Sequence, residues 1–271
     1  MTKHYKFLLP LLIQALVSFS QEDIWDVYMA QYEKGRGSTV INMSLKENAP
    51  MKQYPYLLKT GVRLIKCSED GLPTQEELNV LNRISDRIKS IIDSNIKNIP
   101  TATFSYQCER IDYYYIFDTM EIRKHLESTY QQEFPDYKYS INFRYDKNWD
   151  AYLMFLYPNE ETYEYMNNEK VILNLTKAGD NLSKPRQVDH WLYFKTEADR
   201  NKFIPYVLKE KYKVESKKIS KDSKLKYQLQ ISRIDYVDIV SISKITIELR
   251  KKAKDLNGEY DGWETFVIVE K

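Results

Sequence analysis

Two short clusters hold the residue types that could do chemistry, Asp189-His190-Trp191 and Asp261-Gly262-Trp263-Glu264. An imidazole beside carboxylates can be held as a general base, which would make His190 with Asp189, Asp261 or Glu264 the centre of a hydrolase. An imidazole becomes a metal ligand when a second His or Cys stands near it. Apart from His4 close to the start, the other histidine is His125, far from His190 on a predicted helix. No metal site is therefore expected. A histidine bonded locally within a sheet is the preferred reading, so no catalytic residue is assigned and the chain leans away from enzymes.

Gly35 and Gly37 flank Arg36 in Lys34-Gly35-Arg36-Gly37-Ser38. A phosphate-binding loop would need a third glycine and a following helix, so this stretch reads as a hairpin turn. With 7 Gly in 271 residues there is little from which to build such a loop, and no cofactor is expected. Basic and acidic residues number 41 and 39 and are interspersed, which gives no broad electrostatic reason to bind nucleic acid or a membrane surface. The lysine-rich stretch Lys209 to Lys226 reads as a solvated hairpin.

The elements that must hold the two clusters fall into an α+β pattern. From Ile24 to about Gly179 the order is three strands, a helix, two strands, a helix, two strands and a helix, with mostly antiparallel pairing expected. The clearest helix follows Thr74 and Glu77, which have capping-box spacing, and carries an apolar stripe from Leu78 through Leu81, Ile84, Ile88, Ile91 and Ile92. Tyr137–Tyr145 and Trp149–Tyr157 are expected to pair as a hairpin around Asp146-Lys147-Asn148. A linker spans Ala178 to Pro185.

After the linker the order becomes strand, helix, strand, strand, helix, strand, the split βαβ of a ferredoxin-like fold. The first strand is expected at about Gln187 to Lys195, the long second helix ends near Gly258, and the last strand runs from Trp263 to Val269. First and last strands are neighbours in that topology, so the two clusters should adjoin. Alternation places Val188, Leu192 and Phe194 under the helices and leaves Trp191 and Tyr193 on an open face. Such an aromatic face calls for a covering protein: the first domain, a second copy or a separate partner. The 23 tyrosines point the same way, since their rings suit half-exposed sheets and interfaces. Asp189, His190, Trp191, Tyr193, Asp261, Trp263 and Glu264 are the candidate contact residues.

The N-terminus carries Lys3, His4 and Lys6, an apolar run from Phe7 to Val17, and Ser18-Phe19-Ser20. That is the pattern of a secretory signal at 1–20, with cleavage leaving Gln21 as the first mature residue. The apolar run is short for a membrane span, so no stable span is expected after cleavage. The expectation is an exported, periplasmic protein, or a cytoplasmic one if the signal is not used. In an oxidising compartment Cys67 and Cys108 can pair, with two separate buried thiols as the alternative. The domains expected are therefore 1–20 signal, 21–180 mostly antiparallel α+β, and 185–271 ferredoxin-like.

Two resemblances join these residues. The stretch from about Pro185 to Glu270, with Val188-Asp-His-Trp-Leu-Tyr-Phe194, Thr196-Glu-Ala-Asp-Arg200 and Tyr260-Asp-Gly-Trp-Glu-Thr265, resembles the regulator of ribonuclease E activity B (RraB-like) family. The resemblance implies a ferredoxin-like fold and a protein that binds and inhibits a ribonuclease without cleaving anything itself. The stretch from about Trp25 to Gly179, with Trp25-Asp-Val-Tyr28, Gly61-Val62 and Cys67-Ser-Glu-Asp-Gly71, resembles the bacterial domain of unknown function six-nine-five, which implies no activity. The export signal and the lysine-rich hairpin depart from the regulators' pattern, since those proteins are cytoplasmic and acidic. The function expected is non-catalytic binding of a protein partner. The alternatives are a cytoplasmic ribonuclease regulator and the His190 hydrolase.

Overall fold

The computed structural model describes residues 23–220 and 224–269, so the expected signal segment at 1–20 lies outside the described residues. The first sheet contains β1 (Trp25–Tyr32), β2 (Gly35–Asn42), β3 (Tyr56–Arg63), β4 (Asn98–Tyr106), β5 (Glu109–Ile116) and β6 (Tyr139–Tyr145). Their order is β1-β2-β4-β5-β3-β6, and every neighbouring pair is antiparallel. Close approach of β3 and β5 demands glycine at 61, where a Cβ would stand 2.0 Å from the Arg110 carbonyl oxygen.

Helices α1 (Gln75–Asn95) and α2 (Ile122–Glu133) cover one face of this sheet. Thr74 caps α1 by accepting the Glu77 amide, and Leu81, Ile84, Ile88 and Ile92 form the buried stripe. Glu77 does not complete a capping box. Its carboxylate turns inward to accept from the Ile65 amide at 2.9 Å and the Tyr137 hydroxyl at 3.2 Å.

The other face corrects the expected hairpin. Instead of a strand, Ala151–Leu156 is a π-helical turn, and Trp149 is fully buried with φ +58°. Asp146 initiates the turn by accepting the Asp150 and Ala151 amides, while its Oδ2 also takes the Tyr115 hydroxyl at 2.6 Å. Trp149, Tyr152 and Leu156 are buried at spacings of three and four, a helical period beneath a superficial alternation.

This double coverage changes the part played by tyrosine. Tyr28, Tyr113, Tyr114, Tyr115, Tyr130 and Tyr152 are core residues rather than half-exposed ones. Buried hydroxyls are costly without partners. Tyr28 donates to the Leu156 carbonyl at 2.8 Å, Tyr152 to the Asn42 carbonyl at 2.7 Å, and Tyr130 pairs with the Thr60 hydroxyl at 2.9 Å.

Cys67 and Cys108 form a disulfide that ties the turn after β3 to the β4–β5 turn. Closing a loop over a separation of 41 residues should stabilise the chain by ~4 kcal/mol through restriction of the unfolded state. Reduction is expected to lower the urea midpoint accordingly. An unchanged midpoint would show that the bridge constrains nothing the fold lacks already.

The second sheet contains β7 (Arg186–Phe194), β8 (Lys213–Ile219), β9 (Tyr227–Asp235) and β10 (Gly258–Thr265), with α4 (Glu197–Lys209) after β7 and α5 (Ile239–Lys254) before β10. Its order is β10-β7-β9-β8, antiparallel throughout, as the split βαβ arrangement requires. The last strand begins at Gly258, five residues earlier than expected from Trp263. Thr196 caps α4 by accepting the Asp199 amide at 3.1 Å.

Helix α3 (Glu160–Lys177) packs along α5 and touches β1. Glu160, Glu161 and Glu164 in its first turns pair with Lys254, Lys251 and Arg250 of α5, and Lys170 pairs with Asp26 of β1. Asn168 sits between the helices, fully buried and fully bonded. Its amide donates to Ser243 at 3.1 Å and Thr246 at 2.8 Å, and its oxygen accepts from the Trp263 indole at 2.8 Å.

Candidate partner-binding face

Strand β7 alternates strictly. Val188, His190, Leu192 and Phe194 are buried, whereas Asp189, Trp191 and Tyr193 are half-buried on the opposite side. Both helices of the unit lie on the first side, because Leu192, Phe194, Phe203, Val207 and Leu249 share one core. The side holding Trp191 and Tyr193 carries no helix of its own unit.

That open face is not bare aromatic surface. Gln228 donates to the Tyr193 hydroxyl at 2.7 Å, and Gln230 and Gln187 donate to Asp189 at 3.1 and 3.0 Å. Ser216 donates to Gln230 at 3.2 Å, and Ser232 to Glu215 at 2.6 Å. The two rings are set in a lattice of amides and hydroxyls. This mixed surface is more polar than an obligate interface would be. The β9 half of the lattice went unread in the sequence, although Gln228, Gln230 and Ser232 alternate with buried Leu229 and Ile231.

Pairing of β10 with β7 adjoins the two clusters, with Gly262 opposite Trp191, Trp263 opposite His190 and Glu264 opposite Asp189. A bulge intervenes between Tyr260 and Gly262, where Gly262 takes φ +134°. This conformation suits glycine, and the bulge turns Asp261 outward at the sheet edge. Alongside lies an open groove of about 480 Å³, walled by Asn167, Asn168 and Val171 of α3 and by Trp191, Tyr193, Asp261 and Glu264.

Two expected contact residues are buried, although Trp263 also reaches the wall of the groove. Trp263 is on the helix side, 8% exposed, packed with Val188, Leu175 and Ile242 and bonded to Asn168. It anchors α3. His190 has no exposed surface; its Nδ1 stands 2.9 Å from the Tyr260 hydroxyl, and its Nε2 has no hydrogen-bond partner. Period-two alternation sends His190 to the side opposite Asp189, and no hydrogen bond links it to Asp261 or Glu264. The acid–base constellation of the hydrolase reading is therefore not assembled.

Burial, with a smaller contribution from the Arg233 charge, pushes the His190 imidazole down to about 3. An unfolded chain takes up this proton near pH 6.5, whereas the folded chain resists until near pH 3. Between those values the unfolded state binds more protons, so stability should fall on acidification by up to ~1.4 kcal/mol per pH unit. His190→Gln is expected to flatten urea-derived stability by about 2–3 kcal/mol between pH 6.5 and 4.5. Equal slopes for the two proteins would show that His190 is not held neutral.

Comparison with known families assigns the two halves separately. Residues 23–157 match the family of unknown function DUF695, and residues 166–265 match the family described as regulator of ribonuclease activity B. Both resemblances read from the sequence are borne out, in the expected order along the chain. The second match begins inside α3, the helix that packs on α5. A comparison with curated proteins gives no match. Among the described residues, no helix is long and apolar enough to cross a membrane.

Proposed function

For a chain that joins a DUF695-like unit to one resembling the ribonuclease regulators, we propose a non-catalytic regulatory role, exerted by binding a protein partner through the open face of the second sheet. The observation that carries this reading is the one-sided coverage of that sheet. Trp191 and Tyr193 sit half-buried among polar side chains on the face without helices. Aromatic rings held by hydrogen-bonded neighbours make low-entropy contact surfaces of the sort that dominate interfaces.

We take the partner to lie outside the cytoplasm. The signal-like pattern at 1–20 supports export, and so does the Cys67–Cys108 disulfide, because reducing compartments keep thiols apart. Cross-linked capture from the cell envelope, with the full chain and with Trp191→Ala, tests the role. One partner should be lost with the variant while the melting curve keeps its shape; identical captured sets would remove the proposal.

A second reading follows from the family match alone: a ribonuclease regulator retained in the cytoplasm. Mass spectrometry of the N-terminus separates the two. A chain starting at Gln21 supports export, and one starting at Met1 supports the regulator.

A further inference from the structure

We propose that the groove between α3 and β10 receives a positively charged side chain of the partner, an arginine or lysine on an extended segment lying across Trp191. This rests on the binding role of the open face and names the chemistry that the face selects. The groove has room for one or two side chains. Its cation, Arg250, is already neutralised by Glu164 at 2.6 Å, and its guanidinium lies 5.5 Å from the centre of the Tyr260 ring.

The groove's carboxylates are in the opposite condition. Asp261 and Glu264 line it, exposed, and Glu259 is exposed on the same strand. Among the described residues none of the three has an ion-pair partner, and Asp189 is bonded only by the neutral amides of Gln187 and Gln230. Asp261 and Glu264 therefore line the groove with the half-buried Trp191 and lack counter-charges, and Asp189 lies two residues away on the same side of β7. A guanidinium or ammonium there would lie against the indole while its charge met Asp261 and Glu264, joining a cation–π contact to Coulomb attraction.

A second copy of this chain is the competing occupant, because the far edge of the same sheet carries Lys213, Lys217 and Lys218 on β8. Size weighs against a stable dimer through this face, whereas a single extended segment of a partner needs less area. Four strands at ~4.8 Å spacing, each about eight residues long at ~3.3 Å per residue, make a face on the order of 500 Å². A standard stable interface buries about 800 Å² per partner.

The test uses the full chain and two labelled synthetic peptides, one alternating arginine with serine and the other alternating glutamate with serine, followed by fluorescence anisotropy. The arginine peptide should bind and the glutamate peptide should not. Asp261→Asn with Glu264→Gln should weaken binding at least ~tenfold, and raising the salt should do the same. Indifference to peptide charge, or equal binding by the double variant, would overturn the inference. So would sedimentation as a dimer that Trp191→Ala dissociates. The envelope partner separates the two levels of the argument. Capture that depends on Trp191 but ignores Asp261→Asn and Glu264→Gln defeats the charge selection alone, whereas capture that ignores Trp191 defeats the binding face itself.

Discussion

Replacing Arg186 with methionine is expected to lower the free energy of unfolding by about 3–5 kcal/mol. Arg186 and Asp180 form an ion pair with no exposed side-chain surface on either partner. The guanidinium also donates to the carbonyls of Lys184 at 3.1 Å, Asn181 at 2.6 Å and Phe266 at 3.2 Å, and Asp180 accepts the Ile268 amide at 2.8 Å. One arginine thus fastens the segment after α3 to the start of β7 and to the chain beyond β10. Burial alone would raise the Asp180 carboxyl. The bond from Arg186, the Ile268 amide and the guanidinium's charge outweigh burial and hold the carboxyl below its ordinary range. Methionine would leave that carboxylate buried without a counter-charge and three carbonyls without their donor. Adding Asp180→Leu should recover part of the loss, since the buried charge is then gone. Equilibrium urea unfolding measures both; a loss below ~1 kcal/mol in the single variant would show that water compensates the site.

Trp263→Ala should cost a similar ~3–5 kcal/mol. It removes a nearly buried indole from contact with Val188, Leu175 and Ile242, and it strips Asn168 of the donor to its side-chain oxygen. The effect should be local first. Amides of α3 are expected to exchange with deuterium faster in the variant, because Trp263 and Asn168 join that helix to the sheet, while β3 and β5 keep their protection. Trp263→Phe fills most of the volume but cannot donate, so it should fall between the two proteins. If α3 exchanges unchanged in Trp263→Ala, the ion pairs along α3 and α5 hold the helix without the indole.

The fold of the second half was legible because its signals are local and repeated. Alternation in β7, the Thr196 cap and the stripe of α5 each point to one arrangement, and together they admit the split βαβ order. Trp191 and Tyr193 were readable for the same reason. His190 and Trp263 were misread because proximity in sequence was taken for proximity on a face. A strand sends His190 away from Asp189, and the bulge at Asp261 resets which residues of β10 face the helices. Asp146 was hidden for another reason. A lone aspartate between two aromatic runs resembles a hairpin turn, and only the three-dimensional position of the Tyr115 hydroxyl and the Ala151 amide makes it a cap. Arg186 was not singled out: Asp180, Asn181 and Lys184 are close to it in the chain, but the Phe266 carbonyl that completes its set is 80 residues away. The clasp exists only after both ends of the unit have met.

The open face of the second sheet carries the functional account, and affinity for the captured partner tests it most directly. Titration of that partner against the full chain and against Trp191→Ala, each confirmed as folded by its melting curve, should show at least ~30-fold weaker binding by the variant, the mark of an interface hot spot. Equal affinities would contradict the account and leave this face a solvated side of the sheet.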